Sequence, residues 1–471
     1  MINNEEIKVE IQFDFGQNVN LDYTKFIEFS VGTKNIKESN DFLKSMWREF
    51  NLEVSHEGKN RCGWFYGPRK IRIKNRNISY LGIMDSKIGR IYVAVSYKKQ
   101  GSIDNIMFFM TQEDFEVKHK SLFKRLVRQA KANITKLYLY EVKLSLRGKC
   151  LDLDEAEYCL LHSYAHEKFV VYEENSNCKM KFKILAYDFV DANKSAIYKI
   201  NQVVNFLSIE TNIYYEYEDI EVSDINNNIQ YECNKINFIY QDNIVSTNQQ
   251  VEDGEFIDWI PLYKNKVLLS KKGIELIGKI LDSDTDEVKN FLDGCYHFRQ
   301  GLEREYQLKE RIMITSSQQM LRLASTDIKN GQNILDIAVT FYLSAIETTT
   351  LKGSEVEKCE SCGQLKYQIG HRVFKFMNTY FHPENGGNLF KKIYELRSRY
   401  LHAGESVSSY SVGQNYPLLD DRTGTGCVDQ GFISLNIEGN VVVIVICNIR
   451  EWVSYSLRKY YKEEFEEVLG Q

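Results

Sequence analysis

Apolar residues along the first 209 positions fall largely on alternate places. Residues 8–13 (KVEIQF), 70–74 (KIRIK), 90–95 (RIYVAV) and 137–140 (LYLY) repeat with period two, the spacing of half-buried strands, and predict an antiparallel or mixed sheet. Two stretches switch to helical spacing. One is 39–50; the other is 118–132, where Leu122, Phe123, Leu126, Val127 and Ala130 share a face and Lys120, Lys124, Arg125, Arg128 and Lys131 surround it. A third helix is expected over 193–208, carried by Ile197, Ile200, Val204 and Leu207. Strands at 214–222 and 236–240 follow, with a turn at Asn226, Asn227 and Asn228 between them.

From about residue 268 the spacing becomes predominantly helical. Val288, Phe291, Leu292, Cys295 and Leu302 mark a helix over 286–306, and 312–328, 334–350, 368–380 and 389–401 continue the pattern of an antiparallel bundle. Asn333 is the expected N-cap of the 334–350 helix, with Asp336 in its first turn, and Asn388 the expected N-cap of the 389–401 helix after Gly386 and Gly387. The polar stretch 405–430 reads as a long loop. The apolar run that follows is open between a hairpin over 432–446 and a buried helix from Val441 onward. A last helix is expected over 449–468, with Trp452, Tyr455, Leu457 and Tyr461 among its apolar positions. The expected fold class is α+β multidomain: a sheet-containing α/β region at 1–190, a connecting helix and strands at 191–280, and an all-α bundle at 281–471. No internal repeat is visible.

Composition narrows the functional classes. The 471 residues carry 60 Lys and Arg against 65 Asp and Glu, a net charge of −5, so no global positive field gathers a polyanion and any nucleic-acid site is local. An acidic start without an apolar stretch, and a longest aliphatic run of only 441–447, give the expectation of a cytoplasmic chain with no membrane partner. The 10 cysteines are dispersed, with one close pair, Cys359 and Cys362, and reduced thiols are expected. That pair has zinc-ligand spacing, for which Cys427, His371 and His382 are the remaining candidates; reduced cysteines on a loop are the alternative, and neither metal nor cofactor is assigned. Signatures of phosphate loops, nucleophile elbows and metalloprotease helices are absent from the sequence, which argues against the common hydrolase and kinase mechanisms.

The segment 389–404, LFKKIYELRSRYLHAG, holds the most chemistry. Leu389, Ile393, Leu396 and Tyr400 form its buried stripe, Arg397 lies at the stripe's edge, His402 falls in the last turn, and Gly404 suits a left-handed helix end. A guanidinium and an imidazole meeting near that end can cleave RNA without a metal. The His moves a proton at the 2′-hydroxyl or the leaving oxygen, and the Arg grips the phosphate. The competing reading is structural: His402 set against the helix dipole, and Arg397 paired with Glu395 or a neighbouring helix. Lys391, Lys392, Arg397 and Arg399 stand against Glu395 alone, a local charge of plus three on a net-acidic chain.

The order of these segments bears a resemblance. A helix ending Leu343-Ser344-Ala345-Ile346-Glu347 is followed by Cys359-Glu360-Ser361-Cys362-Gly363-Gln364, by His371-Arg372-Val373-Phe374, and by the Arg397 to Gly404 stretch. This resembles the ApeA-like HEPN family of helical domains over roughly 286–468, with a shorter stretch of resemblance over 193–212. The resemblance implies an all-α HEPN bundle at 281–471 and a metal-independent endoribonuclease acting as a homodimer. It implies Arg397 and His402 as catalytic residues with Ser398 between them, Glu347 as a supporting carboxylate, and Lys391, Lys392 and Arg399 as RNA contacts. It further implies RNA, tRNA among it, as substrate, with 2′,3′-cyclic phosphate and 5′-hydroxyl ends, in antiviral abortive infection with a phage-derived trigger. The alternatives it leaves are a non-catalytic nucleotide- or partner-binding protein and the toxin half of a toxin–antitoxin pair. The basic helix 118–132 is either a solvated face or an RNA guide.

Overall fold

The structure is a computed structural model. It describes residues 7–12, 18–23, 26–57, 62–73, 76–98, 101–110, 117–149, 160–225, 247–250, 256–259, 262–263, 266–282, 288–316, 325–351, 357–358, 365–366, 369–381, 386–405, 430–437, 440–447 and 449–465. The chain forms two compact units, Met1–Leu139 with Leu185–Ala192, and Tyr140–Ile184 with Asn193–Gln471.

The first unit opens with a two-stranded hairpin, β1 (Ile7–Gln12) and β2 (Asn18–Tyr23). Its core is built on β3 (Phe26–Ser30), α1 (Ile36–Val54), β4 (Gly63–Ile73), β5 (Arg76–Ser86), β6 (Gly89–Tyr97), β7 (Ile103–Phe109) and α2 (Val117–Ala132). The five strands from β3 to β7 form an antiparallel sheet in the order β3-β7-β6-β5-β4. Asn35 caps α1 by accepting the Glu38 amide at 2.8 Å, while the Glu38 carboxylate accepts the Lys34 amide at 2.8 Å. Phe42, Met46 and Phe50 of α1 and Phe123, Leu126 and Val127 of α2 bury their faces on the sheet, and Phe50, Phe108 and Phe123 pack mutually at centroid distances of 5.0 to 5.8 Å. Burying each such phenyl contributes about 1.5–3 kcal/mol. One expectation changes here: β6 is not half-buried. Ile91, Tyr92, Val93, Ala94 and Val95 are all buried, so both faces of the central strand are covered.

In the second unit β8 (Tyr138–Lys149), β9 (Tyr164–Ala165), β10 (Phe169–Glu174), β11 (Asn177–Ala186) and β12 (Tyr214–Asp224) make a sheet in the order β12-β8-β11-β10-β9. The helix α3 (Phe189–Thr211) precedes β12. Two short antiparallel pairs follow, β13 (Thr247–Gln250) with β14 (Phe256–Trp259) and β15 (Leu262–Tyr263) with β16 (Lys266–Val267). The helices α4 (Lys271–Leu281), α5 (Lys289–Ser316), α6 (Ser325–Thr349), α7 (Ile369–Tyr380), α8 (Gly386–Ala403) and α9 (Ile449–Glu464) complete it. Among the described residues no helix is long and apolar enough to cross a membrane.

Close approach of α5 and α6 depends on two glycines. A Cβ at Gly294 would lie 2.2 Å from Thr349 Oγ1 and 2.7 Å from the Ala345 carbonyl, and one at Gly301 would lie 2.4 Å from Tyr342 Cε1. Seven residues apart, the glycines share one face of α5, and their partners run backwards along α6, so the helices are antiparallel. A buried polar knot ties α3, α4 and α9. Glu210 accepts from the Ser270 amide and hydroxyl and from Tyr461, Lys462 Nζ stands 3.9 Å away, and Arg458 donates to the Ile209 carbonyl at 2.9 Å.

Several expected boundaries are corrected. Asn333 is no N-cap: α6 begins eight residues earlier, at Ser325, and the packing of its second half carries the helix through Asn330, Gly331 and Asn333 despite their poor propensity. Asn388 likewise lies inside the first turn of α8, which begins at Gly386. Of the expected 312–328 helix, 312–316 belong to α5 and 325–328 to α6, and 317–324 lie outside the described residues. The helix α4 is not among the expected elements. The C-terminal region is not all-α, since β17 (Glu357–Lys358) pairs with β18 (Leu365–Lys366), and β19 (Gln430–Ile437) with β20 (Asn440–Cys447). The hairpin is therefore the outcome for 432–446, as expected of a β-branched run interrupted at Glu438 and Gly439. The expected turn at 226–228, strand at 236–240 and loop over 405–430, apart from Glu405 and Gln430, lie outside the described residues.

Candidate functional site

Two pairs of side chains meet where α8 crosses α6. Tyr394 and Arg397 stand three residues apart on α8, Ser344 and Glu347 three apart on α6, and residues at that spacing share a helix face. Arg397 Nη1 donates to Glu347 Oε1 at 2.7 Å, and Nη2 donates to Glu347 Oε2 at 2.9 Å and to Ser344 Oγ at 3.1 Å. The Tyr394 hydroxyl donates to Glu347 Oε1 at 2.7 Å, and the guanidinium carbon lies 5.6 Å from the Tyr394 ring centroid. Gly370, at the start of α7, backs that ring so closely that a Cβ there would lie 3.2 Å from it.

Arg397 and Glu347 side chains are only 13% and 16% exposed. The geometry is the parallel two-bond fork that makes Arg–carboxylate pairs both strong and directional. Burial, together with the hydrogen bond to Glu347 and its charge, pushes the Tyr394 phenol up to about 12, so it stays a protonated donor at neutral pH. Arg397 Nε is buried without a hydrogen-bond partner among the described residues.

His402 sits in the last turn of α8 and is exposed. Gly404 ends the helix with φ +71° and donates its amide to the Tyr400 carbonyl at 3.0 Å, as its position suggested. The expected meeting of guanidinium and imidazole does not occur within one chain. Five residues on a helix turn through roughly 140° and rise about 7.5 Å, which points the two groups to different sides. Arg397 faces α6 and His402 faces solvent. Arg399 is exposed, with Glu405 at 3.9 Å, and Ser398 is half-buried. The side chains of Lys391 and Lys392, with those of Leu389, Ile393 and Leu396, lie outside the described residues, as do Cys359, Cys362, His382 and Cys427. His371 is exposed.

One ionisable group on α5 is not singled out by the sequence pattern. His297 lies on α5 between the two close-approach glycines, its ring stacked on Phe341 of α6 at 6.3 Å and 26°. It is half-buried, its Nδ1 is buried with no hydrogen-bond partner among the described residues, and Glu347 and Asp293 act on it electrostatically. Burial is the largest influence and holds its pKa below the ordinary 6.5, against those two carboxylates. The available signal was its position three residues after Gly294 and four before Gly301, on the face that must approach another helix.

In the first unit the basic face of α2 is solvated. Lys124, Arg125, Arg128 and Lys131 are exposed, Arg125 reaches Glu53 at 3.0 Å, and Lys131 donates to the Ser30 carbonyl at 2.7 Å. Among the described residues no group of three or more His, Cys, Asp or Glu side chains is arranged to hold a metal ion. Comparison of the chain with protein families, with curated proteins and with solved structures returned no match.

Proposed function

We propose that the chain is a HEPN-type endoribonuclease that cuts tRNA or other cellular RNA to 2′,3′-cyclic phosphate and 5′-hydroxyl ends without using a metal, in antiviral abortive infection. The observation that carries this reading is Arg397 held in a fixed fork by Glu347 and Tyr394 on a helix that ends at an exposed His402. Because the two groups diverge on one α8, the reading requires a homodimer in which paired α8 helices bring an arginine and a histidine into a common cleft. There the histidine transfers a proton at the 2′-oxygen or the leaving 5′-oxygen, and the guanidinium stabilises charge on the phosphate. Lys391, Lys392 and Arg399 add phosphate contacts along that helix, and a phage-derived trigger releases the activity.

Sequencing RNA ends from cells expressing the parent chain and His402→Ala tests this. New 5′-hydroxyl ends clustered in anticodon loops, present with the parent and lost in the variant, are expected, and chelation should leave cutting unchanged. Equal cutting by parent, His402→Ala and Arg397→Ala would exclude the mechanism.

A second reading rests on a specific feature of the same site. Both Arg397 Nη groups are already engaged by Glu347, which suits a structural clasp inside a non-catalytic nucleotide- or partner-binding module. On that reading Arg397→Ala weakens folding and leaves RNA uncut by any variant.

A further inference from the structure

We propose that the β4–β5–β6 meander of the first unit binds single-stranded RNA, holding phosphates with its cations and bases with its exposed aromatic rings. The choice of RNA over DNA rests on the nuclease reading above; the surface itself is carried by charge and exposure.

Charge is concentrated here as nowhere else in the first unit. Residues 61–99 hold ten Lys and Arg against Asp85 alone, a net charge of plus nine on a chain of −5. Asp85 is itself faced by His56, Nε2 to Oδ2 at 3.4 Å, and Lys87, Arg90 and Lys98 are exposed. A local field of this kind gathers a polyanion even when the whole chain is acidic.

The same strands leave aromatic rings in water. Phe65 and Tyr66 of β4 are 66% and 68% exposed, and Tyr97 at the end of β6 is 46% exposed. Tyr66 pairs with Gly82 of β5 and Gly82 with Val93 of β6, so Tyr66 shares a sheet face with Tyr97, four places beyond Val93. Gly82 presents no side chain beside Tyr66, and a Cβ there would lie 2.3 Å from the Phe65 carbonyl. Rings exposed among cations suit a flat apolar partner strung on negative charges, which is what the bases of a single strand are; a duplex hides its base faces. The basic face of α2 lacks this pairing, since it carries no exposed aromatic ring and its Arg125 and Lys131 are engaged by Glu53 and the Ser30 carbonyl.

Protection of a sheet edge accounts for only part of the pattern. β4 is the last strand of its sheet, and Pro68, the register shift between Tyr66 and Arg69, and the charges of Arg69, Lys70 and Arg72 blunt it against strand pairing. The other seven cations lie outside β4, and exposed Phe65 and Tyr66 work against such protection. The blunted edge also disfavours a protein partner adding a strand, so side chains make the contact.

The test is fluorescence anisotropy of the full-length chain carrying His402→Ala, so that RNA stays intact, with a labelled single-stranded RNA of about 12 nucleotides and thermal melts of every variant. Affinity should fall steeply with salt, and replacing Arg72 and Arg76 together by Gln should lower the salt slope by about two. Tyr66→Ala and Tyr97→Ala should each weaken binding by about fivefold or more with parent-like melting, and Tyr66→Trp should retain it. Binding of both alanine variants within about twofold of parent, displacement of the RNA by polyglutamate at equal charge, or tighter binding of DNA of the same sequence would overturn the proposal. The two readings separate cleanly. If the chain with His402 intact makes no 5′-hydroxyl ends while RNA binding depends on Tyr66 and Tyr97, the nuclease reading fails and the surface stands; if it cuts RNA while both tyrosine variants bind like the parent, the surface fails and the nuclease reading stands.

Discussion

Arg397 and Glu347 form a two-bond clasp between α8 and α6, Nη1 to Oε1 at 2.7 Å and Nη2 to Oε2 at 2.9 Å. Removing one partner leaves the other charge largely desolvated, which costs more than removing both. Glu347→Ala and Arg397→Ala should therefore each destabilise by about 2–4 kcal/mol, and the double variant should cost less than their sum, a coupling of about 1–3 kcal/mol. Urea unfolding of the four chains measures it; additive costs would mean the clasp carries no net coupling.

Tyr394→Phe removes one donor to a carboxylate while keeping the ring that packs on Gly370. A loss of about 1–2 kcal/mol is expected. The phenol is raised from 10.0 to about 12, so the folded state holds its proton more tightly than the unfolded chain. The stability this contributes is complete below pH 10 and is lost as pH rises through about 12. Alkaline unfolding of Tyr394→Phe should show a smaller fall of stability across that window than the parent.

Burial lowers the pKa of His297, so the unfolded chain binds this proton more readily than the folded one. Stability should fall as pH drops below the ordinary value of 6.5. His297→Phe removes that contribution, and the acid limb of its stability profile, followed by calorimetry, should be shallower than the parent's.

Glu210 is buried at the junction of α3, α4 and α9. Desolvation works to raise its pKa, yet the charge of Lys462 and the hydrogen bonds from Ser270 and Tyr461 together hold it below 4.5. The stability gained is present above 4.5 and lost as pH falls through the lowered value. Glu210→Gln should cost about 2–4 kcal/mol at neutral pH and reduce the sensitivity of unfolding to acid below 4.5.

Gly301→Ala places a methyl 2.4 Å from the Tyr342 ring, and Gly294→Ala places one 2.7 Å from the Ala345 carbonyl. Overpacking of this kind typically costs about 1–3 kcal/mol. The Gly294 variant should lose more, because backbone cannot swing aside as a side chain can. Melting temperatures of the two variants against the parent rank them.

Elements were legible where the pattern was local and strong. The helices α1, α2, α3, α7 and α9 lie close to their expected places, because each carries an apolar stripe at three-and-four spacing long enough to be read without its neighbours. Starts were less legible. Asn333 and Asn388 are good N-caps in isolation, but helix ends are decided by small free-energy differences that packing elsewhere on the helix overrides. Alternation alone predicts a half-buried β6, although Tyr92 and Ala94 on its second face are buried too.

The sequence by itself determined the residue types available for chemistry: Arg397, His402 and Glu347, the local charge of plus three on 389–402, and the helical character of each segment, since spacing along one chain sets which side chains share a face. Tertiary structure alone decided which of them meet. It joined Arg397 to Glu347, fifty positions apart, and parted it from His402, five positions apart, because helical rotation separates near neighbours in sequence while packing of α6 against α8 unites distant ones. It also set His297 against Phe341 between two glycines whose importance depends on what lies opposite them, which no spacing along the chain records.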